Sequence, residues 1–208
     1  LFRSPQPSVI SQAGRVPTAI YFPKFARDLE LKLTSSRLYF RPLSATDATE
    51  AYAAWLNDPD VNQYLETRHA VQTVASCKQF VEDMNHSETD HLFGVFLLED
   101  HRHIGNIKLG FINARYQSAQ ISLLIGDKSC WGGGFATEAI RAISHFGFRD
   151  LGLARLEAGC YEDNLGSLRA FLKAGYAVEG FCRQQVVANG RRQGCFYLGM
   201  LKSEWQDA

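Results

Sequence analysis

The stretch "SCWGGGFATEA", residues 129–139, sets three consecutive glycines between a tryptophan and the start of a helical pattern. Each of Gly132, Gly133 and Gly134 costs backbone entropy on folding. Such a run implies either a bare backbone that something approaches closely or a turn that other residues cannot make. Before it lies the strand-like run "SAQISLLIG" (118–126) and after it "ATEAIRAISHFGFRDLG" (136–152). In the second run Ala139, Ile140, Ile143, Phe146 and Phe148 mark the apolar face of an amphipathic helix, which Gly152 ends.

A strand, a glycine-rich turn and a helix N-terminus together make an anion site. The first N–H groups of a helix lack partners, and the helix dipole adds about half a positive charge there. No window fits the Walker pattern GxxxxGK(S/T). The dinucleotide pattern GxGxxG also fails, because position 137 after Gly132 and Gly134 is Thr. The coenzyme A loop, (Gln/Arg)-x-x-Gly-x-(Gly/Ala), is met in its second half by Gly134-Phe135-Ala136, with Trp131 standing where Gln or Arg would be. The plain structural alternative is a tight strand-to-helix connection.

Around this centre the chain alternates. The runs "LELKL" and "SRLYFRPL" form a first strand or hairpin. Ser44, three residues before Asp47, begins an alanine-rich helix with a capping-box pattern. "TVASCKQFVEDM" places Val74, Cys77, Phe80, Val81 and Met84 on one helical face. "HLFGVFLLE" and "HIGNIKLGFI" are strand-like, as is "LARLEAGCY" after the central helix. "NLGSLRAFLKAG" is a helix capped by Asn164 and closed by Gly175. Asn189-Gly190 is a two-residue hairpin turn with positive φ at both positions. The order predicts a mixed, mostly antiparallel sheet of about seven strands in an α/β (α+β) domain over residues 31–208. Residues 1–30 hold four of the six prolines and read as an extension. It is either loose or, through Ile20, Tyr21, Phe22 and Phe25, docked on a neighbour across a homodimer. The chain begins at Leu1 rather than Met, which suggests a piece of a longer product.

Composition narrows the function. The 208 residues carry 22 Lys plus Arg against 22 Asp plus Glu. That balance gives no support for bulk nucleic-acid binding, though it leaves a local basic patch open. The longest apolar run, "LFGVFLL", is far short of the roughly 20 residues a membrane span needs. No basic-then-apolar leader is visible. The five scattered cysteines contain no CxxC pair, which argues against zinc or a disulfide framework and for a reducing cytoplasm.

A second constellation lies one βαβ length, about 30 residues, downstream: Asn164 and Ser167 at the mouth of the next helix. A right-handed crossover puts both helix N-termini at one edge of the sheet, facing one groove. With this, the chain from about Ser35 to Trp205 resembles the GNAT N-acetyltransferase superfamily. It is most similar to the Rim-type branch of ribosomal-protein N-terminal acetyltransferases. The stretches that carry the resemblance are "SSRLYFRPLSATDATEAYAAWLNDPDV", "HIGNIKLG", "WGGGFATEAI", "NLGSLRAFLKAGY" and "EGFCRQQVVANGRRQGCFYLGMLKSEW". They occur in the family's order.

The resemblance implies two central parallel strands, "QISLLIG" and "RLEAGCY", that splay apart to admit acetyl-CoA, with no metal. Backbone groups near Ile125 and Gly126 would pair with the pantetheine arm. The N–H groups of Gly132, Gly133, Gly134, Phe135, Ala136 and Thr137 would hold the pyrophosphate, with Trp131 at the rim as packing lid or platform. Asn164 would bond the pantetheine amide besides capping its helix. Acetyl transfer would be direct attack of an amine on the thioester, the oxyanion meeting a backbone N–H near Ile125 or Gly126.

Many family members place a tyrosine acid seven residues after the Asn; here Phe171 stands there. Ser167 is the remaining hydroxyl on that face, as thiolate partner or acid, or as a plain first-turn serine. Glu138 suits the helix dipole without a catalytic role. Glu157, Ser122, His91 and His103 could approach the groove, and no base is assigned. Asn62, Tyr64 and Glu66 are candidates for acceptor contacts. The acceptor is a protein N-terminus or a small amine such as a nucleotide-linked amino sugar. No acidic cluster argues for a polyamine. The rival class is a CoA-binding sensor or interaction protein without turnover.

Overall fold

The computed structural model describes residues 32–206; the extension read from residues 1–30 lies outside them. Eight strands form one sheet: β1 (Leu33–Thr34), β2 (Leu38–Pro42), β3 (His91–Leu97), β4 (His103–Asn113), β5 (Ser118–Ile125), β6 (Arg155–Tyr161), β7 (Ala177–Ala188) and β8 (Arg191–Leu201). Their order is β1-β2-β3-β4-β5-β6-β8-β7. All neighbours pair antiparallel except β5 and β6, which are parallel. The two-residue β1 accounts for the strand beyond the seven expected.

Alternation along the strands sorts side chains onto two faces. Leu38, Phe40, Phe93, Val95, Ile107 and Leu109 point to one core. There they meet Ala139, Ile140 and Ile143 of α4 (Phe135–His145) and Ala170 and Phe171 of α5 (Leu165–Ala174). Tyr39, Leu43, Leu92 and Phe96 point to the other face. They meet Tyr52, Ala53 and Leu56 of α1 (Glu50–Asn57) and Cys77 and Val81 of α3 (Val74–His86). A short α2 (Pro59–Asn62) follows α1 and leads to the 3-10 turn Glu66–His69. The central helix passes at its end into a π-helical turn, Phe146–Asp150, and Gly152 then takes φ +66°. Asn189 and Gly190 take φ +52° and +72°, as the hairpin turn requires.

Two expectations shift. The Ser44–Asp47 capping box forms, but over the 3-10 turn Ala45–Asp47. The helix starts later, capped by Thr49 Oγ1 accepting from the Tyr52 N–H. The reason is that Asp47 also binds Arg41 through both carboxylate oxygens, at 2.7 and 2.8 Å, which anchors the turn to β2. Phe80 is the other departure: it is exposed and lines a cavity, while Cys77 and Val81 fill the core.

Burial alone would raise the Asp47 pKa. Hydrogen bonds from Arg41 and Ser44 and the Arg41 charge outweigh it and lower the pKa from 3.8 to about 2. A depressed folded-state pKa stabilises the fold above the unfolded value, and this is lost as pH falls through the folded one. The difference in urea stability between wild type and Asp47→Asn should therefore be constant above about pH 5 and shrink between pH 4 and 2. A difference independent of pH would contradict this role.

Candidate active site

Parallel pairing between β5 and β6 runs only through Ser118↔Arg155, Ala119↔Leu156 and Gln120↔Glu157. Beyond it, β5 stays on β4 as far as Gly105↔Ile125, and β6 stays on β8 as far as Tyr161↔Cys195. The two strands therefore diverge, each held on its outer flank. The Gly126 N–H donates to Ile104 O at 2.9 Å. Alternation along an antiparallel ladder then turns the backbone groups of Ile125 and Leu123 away from β4, into the gap.

The predicted groups near Ile125 and Gly126 are thus divided. Gly126 offers no free donor. It offers space, since a Cβ there would fall 2.1 Å from the Trp55 ring. The Ile125 carbonyl accepts a bond from the Trp131 indole N–H at 2.8 Å, so this half-exposed ring closes over the end of the gap.

The glycine turn follows. Gly132 and Gly134 take φ +75° and +82°, which only glycine adopts without strain. A Cβ on Gly132 would meet nothing within 4 Å, and one on Gly134 only Arg37, at 3.6 Å. Gly133 N–H makes a long bond to Cys130 O, at 3.4 Å, and Glu138 N–H closes the first helical turn on Gly134 O. The N–H groups of Gly134, Phe135, Ala136 and Thr137 meet no protein acceptor among the described residues.

Arg37, which sequence reasoning passed over, reaches this turn from the start of β2. Its guanidinium donates to Gly133 O at 2.9 Å and lies 4.2 Å from the Phe135 ring centroid. Glu138 Oε2 accepts from its Nε and Nη2, and Oε1 takes the Ser35 hydroxyl and the Arg37 backbone N–H. Burial would raise the Glu138 pKa, but these donors lower it, so it stays charged. Glu138 is a tether between β2 and α4.

Across the gap, Asn164 Oδ1 accepts the Ser167 N–H at 3.1 Å and caps α5. The Asn164 Nδ2 and the Ser167 hydroxyl bond no protein group among the described residues. Phe171 is buried in the core, edge-on to Tyr176.

On the α1–α3 face the gap adjoins a cavity of about 530 Å³. Ser122 and Leu124, from the diverging part of β5, form one wall. Tyr52, Tyr64, Phe80 and Phe111 supply its aromatic surface. Phe111 stands in a β4 bulge at φ +52° and is 68% exposed. Of the proposed acceptor residues, Tyr64 and Glu66 line the cavity. Asn62 instead bonds Leu56 O. The Tyr64 hydroxyl donates to Asp163 O, and the Tyr161 hydroxyl donates to Glu66, which Arg68 also contacts. These bonds tie the 64–68 segment to the end of β6.

Neither strand histidine is poised to gain a proton. Burial lowers the pKa of His91, which packs edge-on against Phe146. Burial also lowers that of His103, stacked on Phe96 at 4.7 Å with Trp55 at its edge. Glu157 lies in the last zipped pair and binds Arg155 at 2.7 Å. The remaining candidate, Ser122, faces the cavity.

An interrupted parallel pair beside a glycine-rich helix start defines a class of acyl-transfer fold, and comparison gives the family. The description "Acetyltransferase (GNAT) domain" matches residues 37–177. YjcK of Bacillus subtilis (strain 168), named a probable N-acetyltransferase, is 34% identical over 165 residues, 76% of this chain and 90% of that protein. The crystal structure of a GNAT-family acetyltransferase from Bacillus anthracis superposes with a TM-score of 0.73 at 24% identity, over 84% of this chain and all of that one. The spermidine N-acetyltransferase of Vibrio cholerae, solved with CoA and spermine, gives 0.73 at 22%, over 82% and 98%. The chain belongs to the GNAT acetyltransferase family.

Gly126→Ala should push the Trp55 ring off β5, destabilising the protein by about 1–3 kcal/mol in denaturant unfolding. Wild-type stability in this variant would mean that the ring moves aside freely.

Proposed function

We propose that this protein transfers an acetyl group from acetyl-CoA to a primary amine by direct attack on the thioester. The observation that carries the reading is the loss of β5–β6 pairing after Gln120↔Glu157, next to four backbone donors without acceptors among the described residues. Coenzyme A fits these residues. The amides of 134–137 and the nearby Arg37 suit a diphosphate, and the bare Gly132 and Gly134 leave it room. Leu123 and Ile125 would pair with the pantetheine arm as an added strand does. For Ile125 to accept that partner, Trp131 must release its carbonyl. The Asn164 Nδ2, left over after capping, would donate to a pantetheine carbonyl.

The thioester supplies an activated acyl carbon and a good leaving group. The amine, once it has lost a proton, forms the new C–N bond. The Ile125 N–H would stabilise the oxyanion that results. The attacking nitrogen loses its second proton to water, the C–S bond breaks, and the Ser167 hydroxyl would give the departing sulfur its proton and regain one from water. The acceptor is a protein N-terminal amine or a small molecule such as a nucleotide-linked amino sugar. A polyamine fits poorly: Glu66 is the one carboxylate lining the cavity among the described residues, and Tyr161 and Arg68 already engage it.

Gly134→Val adds bulk and forces valine to φ near +82°. It should weaken CoA binding at least about tenfold by calorimetry, with the circular dichroism of the fold kept. Full affinity would show that the diphosphate lies elsewhere. Ser167→Ala should lower turnover by about 10- to 100-fold with CoA affinity little changed. An unchanged rate would remove Ser167 from the mechanism.

A further inference from the structure

One polar side chain beneath the cavity has more hydrogen-bonding capacity than the protein uses. Asn106, on β4, is 5% exposed, and its Nδ2 has no hydrogen-bond partner among the described residues. The direction of its amide follows from its neighbour. His103 Nε2 lies 2.9 Å from Gly105 O and 2.8 Å from Asn106 Oδ1. A carbonyl oxygen can only accept, so this nitrogen must carry the proton. The Asn106 atom facing it must then be the oxygen. The donor end of the amide is turned the other way.

Tyr52 lines the same cavity as Asn106, and burial pushes its phenol well above the usual range, so it stays protonated and has a proton to donate. Two donors thus face a chamber whose surface is mostly apolar, with Leu56, Leu65, Phe80, Leu92, Phe111 and Leu124 in its walls beside Glu66, Lys108, Ser122 and a few other polar side chains. A buried donor without an acceptor is costly, and a ligand that brings an oxygen gains correspondingly.

Resting on the transferase reading, we infer that this chamber selects an amine with a bulky apolar body and a neutral oxygen near the amine, held by the Asn106–Tyr52 donor pair. The ligand chemistry is that of an α-aminoacyl group with a large apolar side chain, either as a free amino-acid amide or as a chain end. The cavity's volume and apolar walls suit the side chain. The donors suit the carbonyl. A polycation would find neither free carboxylates nor a use for the donors.

The test uses calorimetry on the CoA-loaded protein, so that it reads binding whether or not turnover occurs. The probes are phenylalanine amide, the same amine without its carboxamide group (2-phenylethylamine), a Phe-Ala-Ala peptide and spermidine. Wild type should prefer phenylalanine amide to phenylethylamine. Tyr52→Phe should reduce that preference about tenfold; comparing one ratio in two proteins cancels the difference in amine basicity. Asn106→Leu should do the same, and Tyr52→Phe, which removes a single oxygen, guards against misfolding of the larger change. Comparable affinity for the peptide assigns the site to chain ends, and its rejection assigns it to small amides. Tightest binding of spermidine, or a preference unmoved by Tyr52→Phe, would overturn the inference while leaving acetyl transfer intact. CoA binding without turnover of any bound amine would instead overturn the transferase mechanism.

Discussion

The structure turns on backbone groups of two parallel strands that are kept apart. A strand edge with unpaired N–H and C=O groups is costly when buried and adhesive when exposed. Here the exposed edge of β5 is short. It begins where pairing with β6 stops, after Gln120, and ends at Gly126. Each strand stays in the sheet because its other side is laddered over the diverging stretch, β5 to β4 and β6 to β8. The gap therefore persists without the sheet losing continuity, and Trp131 covers the last carbonyl of the open edge.

Everything else at the site is placed by that gap. Because β5 and β6 run parallel, α4 and α5, which follow them, begin at the same end of the sheet. Two sets of helix N-termini converge there. One is bare, at Gly134–Thr137; the other is capped by Asn164. The Arg37–Glu138 pair fixes the bare one, joining β2 to the first turn of α4 with a carboxylate that stays charged. On the opposite face, the bulge at Phe111 and the 64–68 segment keep α1 and α3 from closing onto β4 and β5, and a chamber results. Cofactor and acceptor could then approach one edge of β5 from two sides, as direct transfer requires.

Much of this was legible locally. The glycine run, the apolar stripe of α4, the Asn189-Gly190 turn and the strand runs on either side depend on neighbours within a few residues, and they appear as expected. What escaped depends on distant partners. The Ser44–Asp47 box was readable, but Arg41's claim on Asp47, which limits it to a 3-10 turn, was not. Trp131 looked like a rim residue, and only the fold shows its indole on the Ile125 carbonyl. Gly126 looked like a backbone donor, but its N–H belongs to Ile104. Arg37 lies 96 residues from the Gly133 carbonyl it meets. Tyr52 and Asn106 carried one available signal: the polar residues Asn106 and Lys108 alternate with Ile107 and Leu109 in "GNIKLG", which put them on one face of β4. That face borders a cavity whose lining also takes Phe80 and Phe111.

The central claim is that the open edge of β5 and the start of α4 receive coenzyme A through their backbone. Residue-resolved amide hydrogen exchange, with and without saturating CoA, tests this most directly. The account predicts slowed exchange at Leu123, Ile125 and the amides from Gly134 to Thr137, with the β4-bonded amide of Gly126 unaffected. Bound CoA that leaves those amides exchanging at their free rates would contradict it.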